Sequence, residues 1–435
     1  MGPDIAVRAA AGTLPPAPSE PGNAEAESAG KPAERRWWLW AAIAAGIAIV
    51  LTLVIGGLVS WHFSGAVVVP DHSPWPEDIE VEAIRPGRIV LERTDATARA
   101  GYYGISWQAG HAVVGPLLDE DDESVTRRLL KVDGYLVAGR EVALDDVYVG
   151  DPRQALGLPF SGVEIPGELG PMPAWLVKGR PAGAPGHPDA PRETTPETWA
   201  IFVHGINGTR QSGIAIAPLL RRLALSTLYV TYRDDLGAPE SPDGYHHMGL
   251  TEWRDLQAAA RYALAHGARR LVLIGFSMGG SIVARFMELS PLADRVAALI
   301  LDAPALNWKR ILEFNATDMG LPGFAALPVE WAVGARIDAD WDGVDALSHT
   351  EDFHLPILLF HGLADDLIPI GISDDFSAEL PRWVTYYRVP EAEHTQSWNV
   401  DPPLYERRVA HFLDEALQGP QKRSEPDRSR ARAAE

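Results

Sequence analysis

The sequence predicts an α/β fold built on a mostly parallel sheet, carried behind one membrane-spanning helix and a β-rich extension. Three features predict it: an uncharged apolar run near the amino end, a stretch of short β-like segments, and, from Pro171 onward, repeated apolar strands and amphipathic helices. The chain has 435 residues, 38 Lys+Arg against 59 Asp+Glu for a net charge of −21, and no cysteine. That length suits one large enzyme domain with additions. Without Cys there is no disulfide scaffold, thiol nucleophile, Fe–S ligation or Cys-ligated zinc. The acidic balance argues against a nucleic-acid partner, which needs a Lys/Arg face to displace phosphate counterions.

The apolar run comes first. No formal charge lies between Arg36 and Asp71, and Trp37 to Leu58 reads WWLWAAIAAGIAIVLTLVIGGL. As a helix it would be about 33 Å long, enough to cross a hydrocarbon core of about 30 Å. Trp37, Trp38 and Trp40 at one end and Trp61 at the other suit the two interfaces, which sets the span at 37–61. Lys31, Arg35 and Arg36 precede the span and no Lys or Arg follows until Arg85, so residues 1–36 are expected in the cytoplasm and the rest outside it. Ser64-Gly65-Ala66 has the small residues of a signal-peptidase site, but the apolar run exceeds a secretory h-region, which favours an uncleaved single-pass anchor. Residues 1–36 and 418–435 carry almost no large apolar side chains and are expected to be disordered.

From 71 to 170 the signals are short and β-like. Arg88–Thr94, Gly101–Gln108 and His111–Leu118 alternate with Gly and polar turns, interrupted by DEDDESVTRRLLKV, which reads as a helix. This extension is expected either to pack on the main domain or to supply its first strands. No chemistry is assigned to it.

The main domain is expected at 171–417. Its strands are Pro173–Gly179, Trp199–Gly205, Thr227–Tyr232, Arg270–Phe276, Val296–Ala303, Pro356–Gly362 and Val384–Pro390; several are continuous apolar runs, as in a sheet covered on both faces. Helical patterns at Gly213–Leu225, Trp253–His266, Met278–Leu289 and Pro403–Ala416 supply the covers. In such folds active residues gather at the carboxyl ends of the strands.

Gly275-Phe276-Ser277-Met278-Gly279 is a G-x-S-x-G, a pattern that chance supplies in a chain this long roughly one time in seven. Its setting gives it weight: it follows the strand Leu271–Ile274 and opens a helix, which presents Ser277 Oγ above the sheet. A serine hydroxyl needs a base, and the base needs an acid to fix its tautomer. His394 lies in EAEHTQSW after the last strand, and Asp365 lies in HGLADDLIP after the strand before it. The order Ser277, Asp365, His394 therefore falls on strand ends. The oxyanion hole needs two backbone N–H groups: Met278 supplies one, and the loop IFVHGINGTR supplies the other from Ile206, with Asn207 the neighbouring alternative.

HGINGT, GFSMGG, HGLADDLIP and EAEHTQSW together resemble the signature sites of the α/β-hydrolase superfamily, over about residues 171–417. The pattern is most similar to membrane-anchored bacterial hydrolases of the serine aminopeptidase and carboxylesterase-like branch, whose HGxxDxxxP motif carries the acid at Asp365 rather than Asp366. The resemblance implies an eight-stranded, mostly parallel sheet. It also implies a small helical cap at about 304–354, where ALNWKRILEF and PVEWAVGARI read as helices and where pocket-lining residues are expected. It implies hydrolysis of an ester or related acyl bond of a small-molecule or lipid-like substrate, with no cofactor and no metal. An acyltransferase or peptidase shares the same triad, and a non-catalytic scaffold is the alternative of another class. Oligomeric state is left open.

Other conspicuous residues have plainer expectations. His204 and His361, at strand ends, are given structural roles, and His246-His247 lack a third ligand at metal spacing. Arg233, Asp234 and Asp235 either border the pocket or form a surface ion pair; Thr251 is expected to cap the helix opened by Trp253-Arg254-Asp255; Trp398 is a packing aromatic near the histidine loop.

Overall fold

The structure is a computed structural model and describes residues 37–180 and 197–418. The expected disorder of 1–36 and of the tail beyond residue 418 lies outside the described residues. Two compact units divide the chain, Met1–Ile55 and Gly56–Glu435. Helix α1 runs Trp37–Val68, with its apolar side chains bare through the expected span. It is one helix long and apolar enough to span a membrane, and it continues past Trp61 through the Ser64-Gly65-Ala66 stretch. Ser60, Ser64 and Val68 in its last turns are buried, and Val68 O accepts the His246 N–H at 2.8 Å.

The extension is a closed antiparallel barrel of β1 (Ile79–Arg85), β2 (Arg88–Glu92), β3 (Tyr103–Trp107), β4 (Gly110–Glu120), β5 (Ser124–Asp133) and β6 (Arg140–Asp145), in the order β1-β2-β5-β4-β3-β6. Closure leaves no free sheet edge. Alternate residues such as Val81, Leu91, Ile105, Val114 and Val125 fill the interior. The stretch expected as a helix, DEDDESVTRRLLKV, is instead a hairpin: Asp121 Oδ1 accepts the N–H groups of Glu123 and Ser124, and β5 follows at once. The period of two is hidden in the sequence because one inward position is an arginine. Arg127 is buried, and its guanidinium donates to the carbonyls of Thr97, Arg99, Gly101 and Gly115 at 2.7–3.0 Å.

After α2 (Pro152–Leu156) come β7 (Ser161–Pro166), β8 (Pro171–Val177), β9 (Thr198–Val203), α3 (Ala217–Arg222), β10 (Ser226–Val230), α4 (Trp253–Ala265), β11 (Arg270–Phe276), α5 (Met278–Leu289) and β12 (Val296–Asp302). The chain ends with α6 (Trp308–Asp318), α7 (Leu327–Ile337), β13 (Ile357–Gly362), α8 (Gly371–Glu379), β14 (Val384–Val389), α9 (Ser397–Val400) and α10 (Pro402–Leu417). The eight-stranded sheet has the order β14-β13-β12-β11-β9-β10-β8-β7, parallel from β14 to β10 and antiparallel at β8 and β7. It begins at Ser161, inside the segment expected to belong to the extension.

Helices cover both faces. Along β9, Ile201 packs with Leu256 and Ile282 on one side, while Ala200 and Phe202 pack with Leu220 and Val409 on the other. The helix expected over 213–225 is a 3₁₀ turn, Arg210–Ile216, followed by the short α3. Thr251 does not cap α4; the Glu252 carboxylate takes the N–H groups of His247 and Gly249 instead.

Arg127 supports the 97–101 loop with no carboxylate partner among the described residues, so Arg127→Met should leave several buried carbonyls unsatisfied. At about 1–3 kcal/mol for each lost partner, with partial rehydration, a loss of about 3 kcal/mol in denaturant-monitored stability is expected. A change under about 0.5 kcal/mol would show that the carbonyls find other donors.

Candidate active site

The elbow between β11 and α5 holds Ser277 at φ 53° and ψ −123°, a backbone conformation costly for a residue with a side chain. Flanking bonds fix it: Ser277 N–H donates to Asp302 O, and Ser277 O accepts from Gly280 and Ala305. The turn demands glycine nearby, since a Cβ on Gly279 would lie 2.2 Å from Val203 O and one on Gly205 would lie 2.7 Å from Ser277 Cβ.

The three residues expected as a triad meet. His394 Nε2 lies 2.8 Å from Ser277 Oγ, and His394 Nδ1 lies 2.9 Å from Asp365 Oδ2. With Nδ1–H donating to the carboxylate, Nε2 is left as an acceptor facing the serine hydroxyl. Asp365 is buried, which by itself would raise its pKa. Hydrogen bonds from His361 and His394 and from the Ile368 amide outweigh that and hold it well below the usual carboxylate range. Ile206 lines the cavity above Ser277, and the Met278 N–H is the first free donor of α5. Asn207 has φ 54°, and its side chain accepts the Asp71 N–H.

Asp365 also serves a second histidine. His361 Nε2 lies 3.2 Å from Asp365 Oδ2 and 3.0 Å from Ile368 O, while His361 Nδ1 faces Ser373 Oγ at 2.7 Å. Ser373–His361–Asp365 thus has the connectivity of a triad, yet Ser373 and His361 are fully buried and neither lines the cavity. Ser277 does, and it sits on the elbow.

His204 is fully buried beneath the loop that follows β9, with Nδ1 2.9 Å from Gly205 O and Nε2 2.9 Å from Asp235 Oδ2. Desolvation works against its charge, but the Asp235 carboxylate prevails and raises its pKa, consistent with both ring nitrogens facing acceptors. Tyr232 stacks on it and donates to Gly205 O at 2.7 Å. Arg233 and Asp255 form a buried two-bonded pair rather than a surface one. His246 packs edge-on to Tyr232, and His247 pairs with Asp243.

The cavity over Ser277, about 530 Å³, is not lined by the cap as expected: none of its lining residues falls between 304 and 354. Trp75, Ile79, Arg99, Tyr103 and Leu144 from the barrel and its lead-in form one wall, opposite Ile206, Phe276 and Trp398. The barrel also grips the histidine loop. Arg99 pairs with Glu393 at 2.6 Å, Tyr103 Oη donates to Gln396 at 2.8 Å, and Tyr102 and Asn399 exchange two bonds at 2.7 and 3.0 Å. Nothing in the sequence marked Arg99 or Tyr103, because their partners are nearly 300 residues away. His361 had a signal, its spacing of four from Asp365.

A mostly parallel sheet with this strand order, a strained serine elbow and a histidine between serine and carboxylate define an α/β-hydrolase fold. The profile of the prolyl oligopeptidase family matches residues 241–420, and that of a domain of unknown function matches 80–145, the extent of the barrel. Similar solved structures include an esterase from Pyrococcus furiosus, at 20% identity over 62% of this chain and 96% of its own with a TM-score of 0.47. Est1E from Butyrivibrio proteoclasticus with ferulic acid bound aligns at 19% identity over 59% and 100% with a TM-score of 0.43. XC6422 from Xanthomonas campestris, described as an α/β serine hydrolase without lid, aligns at 19% identity over 60% and 96% with a TM-score of 0.41. Comparison with curated proteins finds no match.

Asp302, behind the histidine loop, accepts from Ser397 Oγ at 2.7 Å, and burial pushes its carboxyl up to about 7. The folded state therefore holds a proton that the unfolded chain releases above its ordinary value of 3.8, so stability falls as pH rises from 3.8 toward 7. Asp302→Asn should flatten that part of the profile, read as a smaller Tm difference between pH 5 and pH 7. Parallel profiles would show that Asp302 does not titrate in this window.

Proposed function

We propose that the chain is a membrane-anchored serine hydrolase that cleaves an ester or related acyl bond through an acyl-enzyme. The observation that carries this reading is the unbroken relay Ser277–His394–Asp365, opening onto the cavity of about 530 Å³. Ser277 Oγ attacks the acyl carbon as its proton passes to His394 Nε2. Asp365 holds the imidazole and stabilises its cation, and the N–H groups of Ile206 and Met278 take the oxyanion. His394 then returns the proton to the leaving group, and water repeats the sequence to release the acid. The apolar wall of Ile79, Leu144, Ile206 and Phe276 suits an acyl chain or an aromatic ring.

Peptide-bond cleavage is the second reading, favoured by the match to the prolyl oligopeptidase family over 241–420. Rates on p-nitrophenyl esters and aminoacyl p-nitroanilides separate the two. We assign residues 1–36 to the cytoplasm and the hydrolase to the outer face, on the strength of Lys31, Arg35 and Arg36 before the span.

A fluorophosphonate probe should label the full chain, fail on Ser277→Ala and still label Ser373→Ala. Ser277→Ala should also cost at least about 10³-fold in kcat. Labelling that survives Ser277→Ala and is lost with Ser373→Ala would transfer the role to the buried set.

A further inference from the structure

The cap lines no part of the cavity, yet it carries a run of exposed apolar side chains. Met319, Leu321, Phe324, Leu327 and Trp331 are all exposed within one short stretch, Phe324 and Trp331 at 73% and Leu327 at 58%. Isolated exposed apolar residues are ordinary, but a group of this size marks a contact. α7 is apolar on both sides: Ala332, Val333 and Ile337 are buried together with Glu330, while Leu327 and Trp331 stand one turn apart and exposed.

What covers this face follows from what α7 holds. Residues Gly56–Val68 of α1 belong to the same unit as the cap. Arg336, near the end of α7, donates from Nε to Ser64 Oγ and from Nη2 to Trp61 O, both at 2.8 Å, and its guanidinium lies 3.9 Å from the Trp61 ring centroid. Trp61 closes the apolar run, where an amphipathic ring sits at the membrane interface. Trp331 lies five positions before Arg336, about 7.5 Å of helix rise, so it lies close to the height at which the chain leaves the hydrocarbon, with Leu327 one turn further along α7.

We propose that Phe324, Leu327 and Trp331 enter the interfacial layer of the leaflet from which α1 emerges, making the cap a second membrane contact that fixes the hydrolase against the bilayer. An apolar stripe of this kind sinks about 5–10 Å into the headgroup and acyl boundary. Asp318, Asp338 and Asp340 flank the stripe in sequence and Arg336 is taken up by Ser64 and Trp61, so the contact rests on its apolar side chains and needs only a zwitterionic surface. The tether keeps the stripe at high effective concentration beside the membrane, so insertion requires little intrinsic affinity.

The absence of cysteine permits a direct test in the full chain. Phe324→Cys, Leu327→Cys and Trp331→Cys, each leaving two of the three side chains in place, are labelled singly with a nitroxide in phosphatidylcholine nanodiscs, with Tyr135→Cys on the barrel as the aqueous control. Dissolved oxygen should relax the labels at least threefold more effectively than a water-soluble nickel chelate at two or more of the three cap positions, and the order should reverse at the control. Preference for the nickel chelate at two or more cap positions, or protection from both reagents there, would overturn the proposal, the second result indicating a protein partner.

Discussion

The Asp365 carboxylate is buried behind the site with imidazoles as its only side-chain hydrogen-bond partners among the described residues, and four donors converge on it. Burying a carboxylate costs several kcal/mol, and each hydrogen bond to a charged group returns about 1.5–3. The amides of Leu367 and Ile368 go to Oδ1 and shape the loop after β13, while His394 and His361 go to Oδ2. Through His394 the carboxylate reaches Ser277; through His361 and Ser373 it ties that loop to α8. Loop shape, imidazole orientation and helix docking are therefore one constraint.

The same economy governs the other side of the site. His204 and Asp235 form a buried pair under the loop that follows β9, and Tyr232 donates to that loop's Gly205 carbonyl from beside it. Glu393, Gln396 and Asn399, which flank His394, are all held by barrel residues. The barrel thus shapes both the cavity wall and the placement of the His394 loop. The cap faces elsewhere, and its Arg336 is engaged with α1.

Much of this was legible in the sequence. The main-domain strands, the elbow, and the meeting of Ser277, Asp365 and His394 follow from local signals: apolar runs ending at glycine, and motifs placed at strand ends. Arg127 explains one failure, since a buried guanidinium in a period-two pattern reads as the polar face of a helix. The cavity wall explains another. Arg99 and Glu393 each look like surface charges until the barrel is folded onto the histidine loop, and no local pattern records a contact between residues so far apart. Ser161–Pro166 looked like part of the extension because an antiparallel edge strand is short and half polar.

That edge strand changes how the chain can be divided. A chain cut at Pro171 would lose β7 and leave β8 with an unpaired backbone edge, the template on which sheets associate. It would also free the histidine loop from Arg99, Tyr102 and Tyr103. The hydrolase is therefore not a separable module with an ornament in front of it. A substitution within residues 99–103 therefore acts on the histidine loop as well as on the barrel.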